Sequence, residues 1–162
     1  MAFFNRDSKK IIDYVKENEE DLWQATNIQN LNTKGLEALA DYQFKIGTYT
    51  QKIGLSYTFI EDDVKFLDVN FSRYSINSFR HQLAATYRSQ FFKNLRQSII
   101  YKFAERAVGE SYGVLDASIT LNLKAFDVSV IANNIFNTEY FEGNQIPMPK
   151  SNLMFALSYN FK

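Results

Sequence analysis

The chain of 162 residues has no cysteine and a single histidine, His81. Disulfide frameworks, thiolate metal sites and histidine-rich metal clusters are therefore excluded. Charge of one sign is lacking too. Lys+Arg number 18 and Asp+Glu number 18, so the net charge is zero and gives no electrostatic case for nucleic acid, which favours a concentrated basic face. No run approaches the roughly 18 apolar residues of a membrane-spanning helix. Proline occurs only as Pro147 and Pro149. The opening Met1-Ala2-Phe3-Phe4-Asn5-Arg6-Asp7 has an apolar stretch too short for the core of an export signal.

Aromatic residues are what the chain has in quantity: 15 Phe and 10 Tyr, with aromatics making up 16% of the whole. Aromatics favour strands, and in membrane barrels they gather where rings meet lipid headgroups. The length fits one domain. A mean hydropathy of −0.30 is compatible with a membrane barrel, because only alternate residues of each strand face lipid.

Alternation with a period of two dominates the sequence. Leu36, Ala38, Ala40, Tyr42 and Phe44 oppose Gly35, Glu37, Asp41, Gln43 and Lys45, interrupted only by Leu39. Ile53, Leu55, Tyr57 and Phe59 oppose Gly54, Ser56 and Thr58. Phe79, Leu83, Ala85 and Tyr87 oppose Arg80, Gln82, Thr86 and Arg88, and Leu95, Ile99, Tyr101 and Phe103 oppose Arg96, Ser98 and Lys102. The cleanest run sets Leu115, Ala117, Ile119, Leu121 and Leu123 against Asp116, Ser118, Thr120 and Asn122. Val128 and Val130 continue the pattern, and Leu153, Phe155, Leu157, Tyr159 and Phe161 close it. With a less regular opening strand near residues 11–15, about eight strands are expected.

Short turns are expected at 46–49, 93–94 and 124–125, and longer polar connections at 16–23, 61–76, 106–112 and 137–150. Short turns alternating with long loops characterise outer-membrane barrels. The nine residues 36–44, at roughly 3.3 Å each and tilted by about 40°, give an apolar height somewhat above 20 Å, near the ~25 Å lipid-facing band. The fold expected is thus all-β: an antiparallel up-and-down transmembrane β-barrel segment, a single domain over 1–162. A soluble sandwich or lipocalin-like barrel also alternates. However, its strands average only about 5–6 residues, and its interior does not suit Glu37, Asp41, Arg80, Arg88, Arg96, Lys102 and Asp116. These seven are expected to face a wet or plugged lumen. An exported chain needs a signal, so further sequence is expected before Met1.

Few residues invite chemistry. His81 belongs to the outward set of its strand, where a histidine beside headgroups is the simpler reading than a catalytic one. Glu17, Glu19, Glu20 and Asp21 form one acidic run and Glu61, Asp62 and Asp63 another. Neither has the glycine or ligand alternation of a calcium loop, so both read as solvated loops. No enzyme activity, cofactor or metal site is expected.

The segment Val128-Ser129-Val130-Ile131-Ala132-Asn133-Asn134-Ile135-Phe136-Asn137-Thr138-Glu139-Tyr140 resembles the penultimate strand of TonB-dependent outer-membrane receptors, matching their signature at Asn134, Phe136, Asn137 and Tyr140. Gly143 followed by Ile146-Pro147-Met148-Pro149 is similar to the family's next loop, with Lys150-Ser151 replacing a Gly-Arg pair. Leu157-Ser158-Tyr159-Asn160-Phe161 resembles the terminal strand, with Ala156 at a usual glycine and Lys162 as an extra residue. Upstream, Asn27-Ile28 and Lys34-Gly35-Leu36-Glu37 resemble an earlier strand of the family. The resemblance implies the last eight or so of roughly 22 strands, with the plug domain and TonB box absent.

It also implies energy-coupled import of a bulky, scarce nutrient, with outer-membrane lipid, the TonB complex, the plug and the assembly machinery as partners. Tyr159 and Phe161 would carry the assembly signal. Tyr74-Ser75-Ile76-Asn77-Ser78-Phe79-Arg80-His81 and the Glu105-Arg106 pair are similar to the cobalamin branch, with ferric siderophores the alternative ligand. Phe66, Phe71, Tyr74 and Phe141 are the loop rings expected to meet that ligand. A small autonomous barrel with a structural or adhesive role is the other expectation the sequence supports.

Overall fold

The computed structural model describes residues 1–65, 70–72, 78–107, 110–142 and 146–161. Among them there is no helix. The strands are β1 (Ala2–Lys16), β2 (Gln24–Ile46), β3 (Tyr49–Lys65), β4 (Phe71–Ser72), β5 (Phe79–Phe92), β6 (Leu95–Arg106), β7 (Ser111–Leu123), β8 (Phe126–Asn133) and β9 (Asn152–Tyr159). They form one antiparallel up-and-down sheet in the order β4-β1-β2-β3-β5-β6-β7-β8-β9. Setting aside the two-residue β4 leaves eight long strands, as the alternation predicts. The chain divides into two compact units. One comprises Met1–Ala38, Tyr57–Gln82 and Ala104–Ser111, the other Leu39–Ser56, Leu83–Phe103 and Tyr112–Lys162.

Local chemistry places the turns where the alternation breaks. Gly47-Thr48, Lys93-Asn94 and Lys124-Ala125 are two-residue links, short enough to keep neighbouring strands antiparallel. Gly47 supplies a φ of +60° at the first of them, a conformation that a Cβ disfavours.

Three segments differ from the sequence-based expectation. The opening strand is not confined to 11–15 but begins at Ala2. Its polar stretch lacks the apolar alternation of a half-buried strand. It is held instead by a ladder to β2 in one register, from Ala2↔Glu37 to Lys9↔Asn30 and from Ile11↔Ile28 to Val15↔Gln24. Cross-strand side-chain bonds reinforce it: Asn32 Nδ2 donates to Asn5 Oδ1 (2.9 Å) and Asp7 Oδ1 (2.5 Å). The run Glu61, Asp62 and Asp63 is not loop but the end of β3, where Thr33 Oγ1 donates to Asp62 Oδ1 at 2.5 Å. The connection expected at 106–112 is shorter, because β7 starts at Ser111 and Arg106 N bonds to Glu110 O at 2.8 Å.

Packing explains Gly35. It lies directly opposite Phe4 in the β1–β2 register. A Cβ there would enter the Phe4 ring and come within 2.8 Å of the Phe59 carbonyl oxygen. The phenyl ring covers the backbone that glycine leaves bare, an aromatic rescue across the strand pair.

Burial is distributed in an unusual way. Among the described residues the buried apolar side chains are Val15, Ala104 and Val114, whereas Asp13, Gln51, Ser72, Ser89 and Asn134 are buried polar groups. Along β7 and β8 the apolar set (Ile119, Leu121, Leu123, Phe126, Val128, Val130) is exposed, while the alternating Asp116, Ser118, Thr120, Asn122, Asp127 and Ser129 are half-buried. On β9 every residue is exposed, with Phe155 at 75% and Leu157 at 70%.

Candidate functional site

The polar face of the second unit is assembled by register. The β7–β8 ladder sets Thr120 opposite Ser129 and Asn122 opposite Asp127. The first pair shares a hydroxyl hydrogen bond of 2.9 Å, and Asn122 Nδ2 donates to Asp127 Oδ1. Arg96, on β6, reaches across β7 to Asp127 (3.9 Å), and Lys102 reaches Asp116 (3.5 Å). Both cations are more than half exposed or nearly so, so these pairs are worth at most about 1 kcal/mol each. They do fix the charges in place along one face. Asp41, Gly54 and Thr86 also share a face: a Cβ on Gly54 would lie 2.7 Å from Thr86 Oγ1 and 3.0 Å from Asp41 Oδ1. Glu37, Arg80 and Arg88 are exposed on their strands. Asp127 was not among the residues singled out by sequence. Its spacing of two from Ser129 was the available signal.

The loop after β8 is built around Asn134, which is 2% exposed. Its backbone N–H donates to Asp116 Oδ1 (2.8 Å). Its side-chain Nδ2 donates to the carbonyls of Thr138 (2.8 Å) and Pro149 (3.2 Å), and its Oδ1 accepts from Thr138 N (2.9 Å). Asn134 and Asn137 both have left-handed φ, +48° and +53°, which asparagine tolerates better than most residues. Asn137 Oδ1 in turn accepts from Ser151 N at 3.0 Å. Thus both ends of the loop are tied to one asparagine pair.

Further along, Thr138 Oγ1 donates to Gly113 O (2.9 Å), and the Tyr140 ring packs on Tyr112 with centroids 4.7 Å apart. Phe141 bridges Pro147, and Met148 N bonds to Tyr140 O at 2.9 Å. Glu139 pairs with Lys150 Nζ at 2.5 Å. That hydrogen bond, with the lysine's charge, holds the Glu139 carboxyl below its ordinary range. Burial pushes the Tyr140 phenol up, helped by the negative charges of Glu142 and Asp116.

In the first unit, Lys16 Nζ lies 5.1 Å from the Trp23 ring and 5.3 Å from that of Phe71, within cation–π range of both. The same ammonium donates to Glu19 O. Beside it Asp13, fully buried, accepts from Ser72 Oγ (2.5 Å) and Tyr14 N (2.7 Å). Of the acidic run 17–21, Asp21 Oδ2 accepts from Asn18 N and Nδ2 at 2.9 and 3.0 Å. This is a self-satisfied turn. His81 packs against Tyr57 and Phe59, with centroids at 6.1 and 5.1 Å, and shares a 2.7 Å hydrogen bond between Nδ1 and the Tyr57 hydroxyl. It therefore sits within an aromatic cluster.

Of the four rings expected to meet ligand, Phe71 belongs to the first unit and Phe141 to the second. Phe66 and Tyr74 lie outside the described residues. Tyr159 packs against Phe126 (4.9 Å) and edge-on to Phe161 (4.6 Å, 85°). Sequence reasoning missed Lys16, Trp23 and Asp13. A charged residue amid Ile11, Ile12 and Val15 was the visible sign for Asp13. No protein-family model, curated protein or solved structure matches this chain.

Proposed function

We propose that this chain is the closing portion of the β-barrel of a TonB-dependent receptor, which imports a bulky, scarce nutrient across a Gram-negative outer membrane. The observation that carries the reading is the inverted burial of β7 and β8, continued by the exposed apolar side chains of β9. Large apolar side chains are exposed on one face while the polar face is sheltered. Each large apolar side chain left in water forgoes about 1.5–3 kcal/mol of burial. Even at half exposure, the residues of these strands together forgo on the order of 10 kcal/mol, comparable with the whole stability of a domain. Hydrocarbon removes that penalty, and lipid is the environment in which such a face is stable.

Strand lengths such as the 17 residues of β3 and 13 of β7 suit a bilayer crossing. The resemblance narrows the reading further. Asn134, Asn137 and Tyr140, three of the four matching positions, frame the final loop, which gives that part of the signature a physical basis in this chain. The ligand class is a corrinoid or a ferric siderophore, and the run leading to His81 favours the corrinoid. TonB and the plug domain are the partners this reading implies.

Two measurements test this. Expressed with an export signal, the chain or its parent fractionates with outer membranes and resists carbonate extraction. Recovery as a soluble periplasmic monomer refutes the membrane reading. Titration of the purified parent with cyanocobalamin and a panel of ferric siderophores then assigns the ligand, and binding of neither overturns the import reading.

A further inference from the structure

Three elements of the first unit meet around one ammonium. Lys16, the last residue of β1, pairs with Phe71 of β4 on one side. On the other side Trp23 directly precedes Gln24, the β2 partner of Val15. Lys16 Nζ thus has a ring from each neighbour, with the Trp23 centroid at 5.1 Å and that of Phe71 at 5.3 Å. The Phe71 wall does not depend on the lysine's charge. Its strand is held to β1 by the pairs Val15↔Ser72 and Lys16↔Phe71. Ser72 Oγ also donates to the buried Asp13 Oδ2 (2.5 Å), and Asn70 Nδ2 donates to Glu17 O (3.0 Å). The slot is open to solvent, since Phe71 is 38% exposed and Trp23 and Lys16 are half-buried.

The width of the slot decides what fits it. Heavy atoms in van der Waals contact lie about 3.5–4 Å apart, so a bare ammonium resting on a ring puts its nitrogen at about that height. A methyl on the nitrogen adds a bond of about 1.5 Å, so a quaternary ammonium touching both rings holds its nitrogen about 5–5.5 Å from each. The slot is loose around the lysine and fits the methylated cation. Hydration points the same way: a lysine ammonium is compact and strongly hydrated, whereas aromatic cages are the usual receptors of quaternary ammonium groups. The field is favourable too. Glu17, Glu19, Glu20 and Asp21 lie between Lys16 and Trp23 with no Lys or Arg among them. Lys16 Nζ already donates to Glu19 O, so a displaced lysine stays among acceptors. We propose that Trp23 and Phe71 form a binding slot for a quaternary ammonium group, with Lys16 as its resident competitor. The site lies wholly within the first unit and is independent of the transport reading.

The test is an NMR titration of the full chain in uncharged detergent micelles with tetramethylammonium chloride, and with potassium chloride as the control. The Trp23 indole N–H, the one such resonance in the chain, should shift saturably with tetramethylammonium alone, at a Kd on the order of millimolar. Lys16→Ala removes the resident and should tighten binding roughly five- to tenfold, the worth of two exposed cation–π contacts. No saturable shift in either chain overturns the proposal, as does equal affinity in the two. A second readout needs no variant. The Lys16 Nζ resonance of the parent should move as its ammonium leaves the rings, and a static Nζ signal beside a responding indole overturns the displacement. The same group can arrive as a free solute or on a lipid. Choline and a short-chain phosphatidylcholine, kept below its micelle-forming concentration, separate these sources by which binds tighter. Binding of neither overturns the assignment to a quaternary ammonium ligand.

Discussion

Asn134 offers the sharpest test of how the final loop is held. Replacing it with alanine removes three side-chain hydrogen bonds, to Thr138 N, Thr138 O and Pro149 O. At about 1 kcal/mol net each, that is roughly 3 kcal/mol. Alanine must also adopt the φ of +48°, which adds about 1 kcal/mol. Asn134→Ala should therefore weaken the loop by about 4 kcal/mol, nearly a thousandfold in its opening equilibrium. Asn134→Gly loses the same bonds without the strain and should be about 1 kcal/mol better than alanine despite its greater freedom when unfolded. The amides of Ile135 and Asn137 bond to Leu115 O and Asn134 O at 2.8 Å whatever the side chain at 134, so their hydrogen exchange reports loop opening in every variant. If alanine equals or exceeds glycine, or if both lie within about 0.5 kcal/mol of the parent, the account of Asn134 as the loop's anchor is wrong.

Gly35→Val should drive a side chain into the Phe4 ring and detach the start of β1, at about 1–3 kcal/mol. Faster amide exchange over residues 2–6 checks it, and adding Phe4→Ala should restore part of the loss. Because the Glu139 carboxyl is held low chiefly by its hydrogen bond to Lys150, the pair's contribution is present above the ordinary glutamate range and disappears as pH falls through the lowered value. Carboxyl NMR should show Glu139 titrating below that range and returning to it in Lys150→Met. On the membrane reading, Tyr159→Ala with Phe161→Ala should reduce the assembled outer-membrane level of the parent before ligand affinity changes. Quantitative blotting beside ligand titration would separate the two effects.

The eight long strands and the three tight turns were legible because period-two alternation and its interruptions are local properties of sequence. The first half of β1 was not. Asn5, Arg6, Asp7, Ser8, Lys9 and Lys10 carry no apolar rhythm, and their extension depends on partners some 20–30 residues away, such as Asn32. Glu61, Asp62 and Asp63 read as loop for the same reason, since only Thr33 across the sheet explains Asp62. Asn134 stood out as part of a resembled motif. Its left-handed backbone and its bonds to residues 4 and 15 positions onward are three-dimensional facts that a motif does not state. Asp127 shows the converse: its alternation was visible, and its value became clear only once Arg96 was found to reach it across an intervening strand.

The grip of Lys16 on Trp23 and Phe71 has a practical consequence. Trp23 is the one indole in the chain, and an ammonium lies 5.1 Å from its ring. A fixed positive charge at that distance perturbs the excited state of the indole, so the emission of the unlabelled protein is a natural beacon for the β1–β2 connection. Lys16→Met would remove the charge while keeping much of the stem's bulk, and a shift in emission maximum between the two proteins would calibrate it. Any molecule that displaces Lys16 or draws Phe71 away would then announce itself optically, with no dye attached.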